Sequence, residues 1–206
     1  MKILVGNKFL LLSIFTLNQV SCGLRYLSPK LIKILYLDLY HIKKSKNYNL
    51  EHIVPQCIYK DEVDLKKDMH NIILYPKKLN SKRSNYKYIL KDDYLDYITI
   101  LNKEGDSMKK CLIEDDCSIS NNIMNTFVPH NRDKGEIARA CIYFVNQYPK
   151  YKDIIYERII DPKTLIIWNF RYLPTRFEHE KNRVIAEIQG NLNKYIIDPN
   201  KVLDDI

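Results

Sequence analysis

Apolar positions along the chain recur first at helical spacing. Leu31, Leu35, Leu39 and Ile42 follow Ser28-Pro29, a capping serine and a proline suited to the first helical turn. They predict an amphipathic helix over 29–44, closed by the basic run "KKSKN". The period then shortens. "LEHIVPQCIY" (50–59) is brief and β-rich, and Pro55 confines it to an edge or the end of a strand. "NIILY" (71–75) is a second short apolar run. A short helix, or a helix and loop, is expected from near Pro76 through "KKLNSKRSNYKYILK" (77–91). "YITILN" and the run at 108–113 read as strands.

Helical spacing returns at 134–148, where Ile137, Cys141, Phe144 and Tyr148 share a face, and 161–170 reads as a further helix. The last helix has both ends marked. Thr175 and Glu178 form a T-x-x-E capping box, Phe177, Val184 and Ile188 supply an apolar side, and Gly190 stops the helix as a glycine one position beyond its end. The fold class expected is α+β, mostly helical, around a small β-hairpin or sheet.

With 206 residues, 46% of them hydrophobic, and only five glycines, the chain can bury the core of one domain. The net charge of +8 favours a nucleic acid or another anionic surface as partner. The five cysteines form no CxxC pair, which argues against a zinc ribbon or finger. Cys111 and Cys117 bracket "CLIEDDC" and could close a small disulfide loop in an oxidising compartment; reduced thiols are the alternative. Lys2, Lys8 and the apolar stretch Phe9–Leu17 outline a secretory signal segment over 1–22, too short to span a bilayer, with a single domain over 23–206. If that segment is a signal, the protein is secreted or periplasmic.

Candidate chemistry centres on Glu51 and His52, adjacent in "YNLEHIVPQC". A histidine can serve as a general base near neutral pH. The carboxylate of Glu51 and the amide oxygen of Asn71 are hard donors suited to Mg²⁺, which takes few protein ligands. Lys77–Lys91 carries six basic residues and no acidic one, and could hold flanking phosphates. These parts suit phosphodiester hydrolysis. Neighbouring side chains on a strand point to opposite faces, so a shared site requires a bend at Glu51–His52.

Five blocks resemble, in order, the endonuclease I family of His-Me finger (ββα-metal) nucleases: "YNLEHIVPQC", "DMHNIILYPKKLNSKRSNY", "FVPHNRDKGEIARACIYF", the segment from Trp168, and "NRVIAEIQGNLN". The resemblance spans about residues 30–199. It implies a Mg²⁺-dependent endonuclease of little sequence preference (Mn²⁺ or Ca²⁺ as alternatives), acting as a monomer on DNA, with RNA as an alternative substrate, and leaving 5′-phosphate ends. By resemblance His52 is the base, Glu51 and Asn71 are the metal ligands, and Asn80, Arg83 and Asn85 order the site. Arg83 is expected either to touch phosphate catalytically or to form a buried ion pair. Lys77, Lys78, Lys82, Arg83 and Lys87 are the expected nucleic-acid contacts, and Arg139, Gln189, Gly190 and Asn191 framework positions. His70 receives no role. The chain departs from the family pattern at Cys57, Leu192 and Lys194. It also lacks a match for the arginine that stabilises the cleaved phosphate in some members; Lys66, Lys67 or Arg83 could serve instead. The competing readings are a catalytically weak nucleic-acid-binding protein on the same fold, and a disulfide-stabilised structural protein.

Overall fold

The computed structural model describes residues 47–90 and 119–206. The signal segment, the helix at 29–44, the strands at 97–102 and 108–113 and the Cys111–Cys117 loop all lie outside the described residues. Cys57, exposed, and Cys141, buried, are free thiols.

Strand β1 (Tyr48–His52) pairs antiparallel with β2 (Ile72–Pro76), placing Leu50 opposite Leu74, Glu51 opposite Ile73 and His52 opposite Ile72. The connection between them carries three 3₁₀ turns, at Gln56–Ile58, Leu65–Lys67 and Met69–Asn71. Helix α1 (Lys77–Arg83) follows β2 directly. Pro76, at φ −59°, is the residue that precedes its first turn. It ends at Ser84, which adopts a positive φ of 50°.

A second sheet orders β3 (Lys87–Tyr88), β5 (Thr126–Val128) and β4 (Ile119–Asn121), with β5 central, parallel to β3 and antiparallel to β4. Ser120 fastens this sheet to α1 by donating its hydroxyl to the Lys82 carbonyl.

The remaining helices form the body: α2 (Asn131–Gln147), α3 (Lys152–Arg158), α4 (Pro162–Arg171), α5 (Arg176–Gln189), α6 (Lys194–Ile197) and α7 (Val202–Asp205). The architecture is mixed α+β, mostly helical with small sheets, as expected. Among the described residues no helix is long and apolar enough to cross a membrane.

The expected single apolar face of α2 proves too narrow. Every residue from Ile137 to Val145 is buried, so this helix runs through the centre with partners on all sides. Gly135 makes that placement workable: a Cβ there would overlap the Tyr172 carbonyl oxygen just past α4.

Helix α5 has the expected capping box and a left-handed Gly190 (φ 86°). Its inward stripe differs from expectation, because Phe177 and Ile188 are only half-buried. Val184 faces inward as expected, and Glu178, Lys181, Asn182 and Ile185 join it there. Polar residues tolerate burial there because each is paired. Arg139 donates to both carboxylate oxygens of Glu178. Lys181 donates to the Ile72 carbonyl and to Glu136. Asn182 exchanges hydrogen bonds with the Asn193 backbone.

Candidate active site

Helix α1 packs back onto the hairpin, and its Asn80 and Arg83, three residues apart, lie on one face toward β1. Arg83 is only 1% exposed. Its Nη1 donates to Glu51 Oε1 at 2.7 Å and to the His52 carbonyl at 3.2 Å, and its Nη2 donates to the Ile53 carbonyl at 2.5 Å. The guanidinium also lies over the Tyr88 ring, 4.7 Å from its centroid. One buried cation thus holds both members of the Glu51–His52 pair. Of the two roles expected for Arg83, the geometry presents the buried ion pair. Both Nη atoms are committed to protein groups and the side chain is almost wholly buried, so the geometry does not present it to a phosphate as the catalytic and nucleic-acid-contacting role expects.

Burial raises the Glu51 carboxyl above the ordinary range, and the Arg83 charge and hydrogen bonds from Asn80 and Arg83 counter only part of that effect. Asn80 also donates to Asn49 Oδ1 at 3.2 Å. The amide that reaches Glu51 is therefore that of Asn80, not of Asn71.

Asn71 is fully buried and spent on the loop. Its Oδ1 accepts from the Val54 amide at 2.7 Å, and its Nδ2 donates to the Val54 carbonyl and the Tyr59 hydroxyl. An oxygen so placed is a structural staple, already spent on the Val54 amide, whereas the expected ligand pair of Glu51 and Asn71 is not brought together. The N-x-x-R spacing carried the signal: once Arg83 pairs with Glu51, Asn80 must share that face.

His52 ends β1 and leans the other way, into the loop. Its Nε2 lies 3.0 Å from the Lys66 carbonyl. A carbonyl only accepts, so Nε2 carries the proton and Nδ1 is left with a lone pair. Burial lowers the affinity of the ring for a second proton, and the Arg83 and Lys66 charges act in the same direction, opposing the Lys66 carbonyl. The expected bend at the pair is absent, since pairing is regular through His52. The chain bends at Ile53–Val54, immediately after it.

The proposed substitutes for the missing arginine separate in the same way. Lys67 pairs with Asp64. Lys66 donates to the Lys60 carbonyl and has no carboxylate partner among the described residues. Lys77, Lys78 and Lys82 are exposed on α1, and Lys87 is half-buried on β3. Asn85 is exposed just beyond α1.

The framework positions lie behind the hairpin. Gln189 accepts from the Met69 amide and donates to Asp68 and to Asn191, and Asn191 donates to the Tyr143 hydroxyl. His70, within this network, faces the Asn191 carbonyl at 3.1 Å and packs at a tilt against the Tyr143 ring. Arg139 ties α2 to the start of α5 and to the Tyr172 carbonyl after α4, away from Glu51 and His52.

The donor set can be tested against a divalent cation. Among the described residues no cluster of three or more His, Cys, Asp or Glu could hold a metal. Glu51 and Asn80 offer one carboxylate and one amide, both oxygen donors, the sparse set that Mg²⁺ accepts while keeping waters. The carboxylate is buried and only partly compensated by its guanidinium, an environment in which a further positive charge is favourable. The residues fit such an ion.

A hairpin with its helix, a basic surface and a carboxylate beside a neutral histidine belong here to a nuclease, a hydrolase of phosphodiester bonds. The family model described as Endonuclease I matches residues 39–200, and the chain belongs to that family. It is 27% identical over 198 residues to Endonuclease-1 of Buchnera aphidicola subsp. Acyrthosiphon pisum, covering 85% of this chain and 71% of the relative. It is 24% identical over 179 residues to an extracellular deoxyribonuclease of Aeromonas hydrophila, covering 78% and 70%. A periplasmic deoxyribonuclease of the same organism is 27% identical over 129 residues, covering 63% and 46%.

Proposed function

We propose that the protein is a divalent-cation-dependent endonuclease that cleaves DNA outside the cytoplasm, with β1, β2 and α1 as its ββα-metal (His-Me finger) unit. The observation that carries this reading is the division of labour at the end of β1. The pair is not bent, but the chain turns away immediately after His52, so a phosphate at the strand end can be met by Glu51 from one face and by His52 from the other. Glu51 is turned to Asn80 and Arg83 on α1, while His52 is held by the Lys66 carbonyl with its Nδ1 unprotonated. Nδ1 takes a proton from water as that water attacks phosphorus. Glu51 and Asn80 would hold the ion, Mg²⁺ by donor chemistry, which when bound stabilises charge on the phosphate and on the departing 3′ oxygen. Arg83 favours the ionised form of Glu51 against the effect of burial and aims its carboxylate. Lys77, Lys78, Lys82 and Lys87 hold neighbouring phosphates without reading bases, which supports low sequence preference. Departure of the 3′ oxygen leaves 5′-phosphate ends. The names of the Aeromonas relatives support DNA as substrate and an extracellular or periplasmic location.

Incubating supercoiled plasmid with the protein plus Mg²⁺, plus EDTA, and with His52→Ala tests this reading. Nicking by wild type with Mg²⁺ alone is expected. Plasmid left intact by wild type, though shifted on a gel, contradicts the enzyme, and undiminished cleavage by His52→Ala contradicts the base.

A further inference from the structure

Gln56 lies in the first 3₁₀ turn after His52. Its Nε2 is 3.2 Å from His52 Nδ1 and also 3.2 Å from His52 Nε2. A donor equidistant from both ring nitrogens and in the ring plane would collide with the carbon between them. The amide therefore lies over the face of the imidazole, as an N–H···π contact does. In the plane of the ring, Nε2–H is already committed to the Lys66 carbonyl. The ring is thus restrained in two perpendicular directions, by a carbonyl at its edge and an amide on its face, and the in-plane lone pair of Nδ1 stays open.

The turn that delivers Gln56 is itself braced. The Ile58 amide donates to the Pro55 carbonyl at 3.0 Å and the Tyr59 amide to the Gln56 carbonyl at 3.2 Å. The Tyr59 hydroxyl donates to the Val54 carbonyl, and Asn71 grips both Val54 and Tyr59. Buried Asn71 thereby acquires a purpose: it sets the turn from which Gln56 reaches back over His52.

We propose that Gln56 is a positioning residue for the general base, holding the His52 ring so that the Nδ1 lone pair points at the attacking water. This rests on the reading of His52 as the base. A restraint on the reacting geometry acts on the chemical step and leaves substrate affinity alone. Gln56 is half-exposed and contributes to its turn through the backbone, so shortening the side chain leaves the fold in place.

Plasmid cleavage kinetics of Gln56→Ala, Gln56→Met and His52→Ala test the proposal. They are paired with ring ¹⁵N–¹H correlation spectra of His52 in metal-free wild type and Gln56→Ala, at a pH where the ring is neutral. Gln56→Ala is expected to lose roughly 10- to 100-fold in kcat with KM unchanged. Its ring signals should keep the Nε2-protonated pattern that the Lys66 carbonyl sets, but shift and broaden as the ring loses its second restraint. Gln56→Met, which covers the same face with a side chain of similar length, is expected to recover most of the loss. Wild-type kcat in Gln56→Ala, a loss confined to KM, ring signals identical in position and width to wild type, or Gln56→Met as impaired as Gln56→Ala overturns the proposal while a dead His52→Ala leaves the base in place. A fully active His52→Ala removes the base and Gln56's role together.

Discussion

Arg83→Met keeps much of the side-chain bulk but removes the charge that faces Glu51 and the donors to the His52 and Ile53 carbonyls. Breaking one side of a buried pair costs about 3–5 kcal/mol, because the partner charge stays buried. Glu51 keeps 17% side-chain exposure and can relax partly into water, so the lower end, about 3 kcal/mol, is expected. In a chain of this size that lowers the melting midpoint by roughly 6–12 °C. Glu51→Gln keeps shape and an acceptor oxygen for Arg83 and should cost less. The double variant should be less damaged than the sum of the singles, with a coupling of about 1–3 kcal/mol. Urea unfolding of the four proteins in EDTA measures the cycle without a bound ion shifting the equilibrium. Zero coupling, with Arg83→Met unfolding at the wild-type midpoint yet failing to bind DNA, would refute the buried-pair assignment and return Arg83 to the phosphate.

Three further outcomes follow from the geometry. Asn71→Ala strips the Val54 amide of its partner and takes one of two hydrogen bonds from the Val54 carbonyl and from the Tyr59 hydroxyl, and should cost roughly 1–3 kcal/mol by denaturant unfolding without a specific loss of Mg²⁺ affinity; a metal-binding defect in a stable Asn71→Ala contradicts its role as a staple. Gly135→Ala drives a methyl into the Tyr172 carbonyl and should destabilise by about 1–3 kcal/mol, whereas an unchanged melting temperature would mean that α2 and α4 can part freely. Burial lowers the His52 pKa, so the acid limb of kcat should fall below the ordinary histidine value of about 6.5, and the ring's contribution to stability, present above about 6.5, should fade as pH drops toward its folded-state value; an acid limb above 6.5 in the pH–rate profile contradicts this.

The local signals were legible where a residue's chemistry acts within its own segment. The capping box of α5, its glycine stop and the start of α1 after Pro76 all stand where capping and turn rules put them. Glu51 and His52 were legible as a pair because adjacency is a sequence property. Their partners were not. Asn71, just before β2, and Asn80, just after it, are both amides close to the hairpin in sequence, and only packing decides that one is consumed by Val54 while the other faces Glu51. The inward face of α5 is only partly legible, at Val184, for the same reason: Glu178, Lys181 and Asn182 look like solvated positions until Arg139, Glu136 and Asn193 arrive from elsewhere in the chain. The carbonyl of Lys66, which sets the His52 tautomer, belongs to the backbone and leaves no residue-type signal.

The claim that Glu51 and Asn80 hold the metal beside His52 is met most directly by a crystal structure of His52→Ala soaked in Mn²⁺ with a short duplex, read from the anomalous difference map. The expected result is one strong peak about 2.1 Å from a Glu51 carboxylate oxygen and from Asn80 Oδ1, with a phosphate oxygen as a further ligand. A peak on Asn71 Oδ1, or none at Glu51, contradicts it.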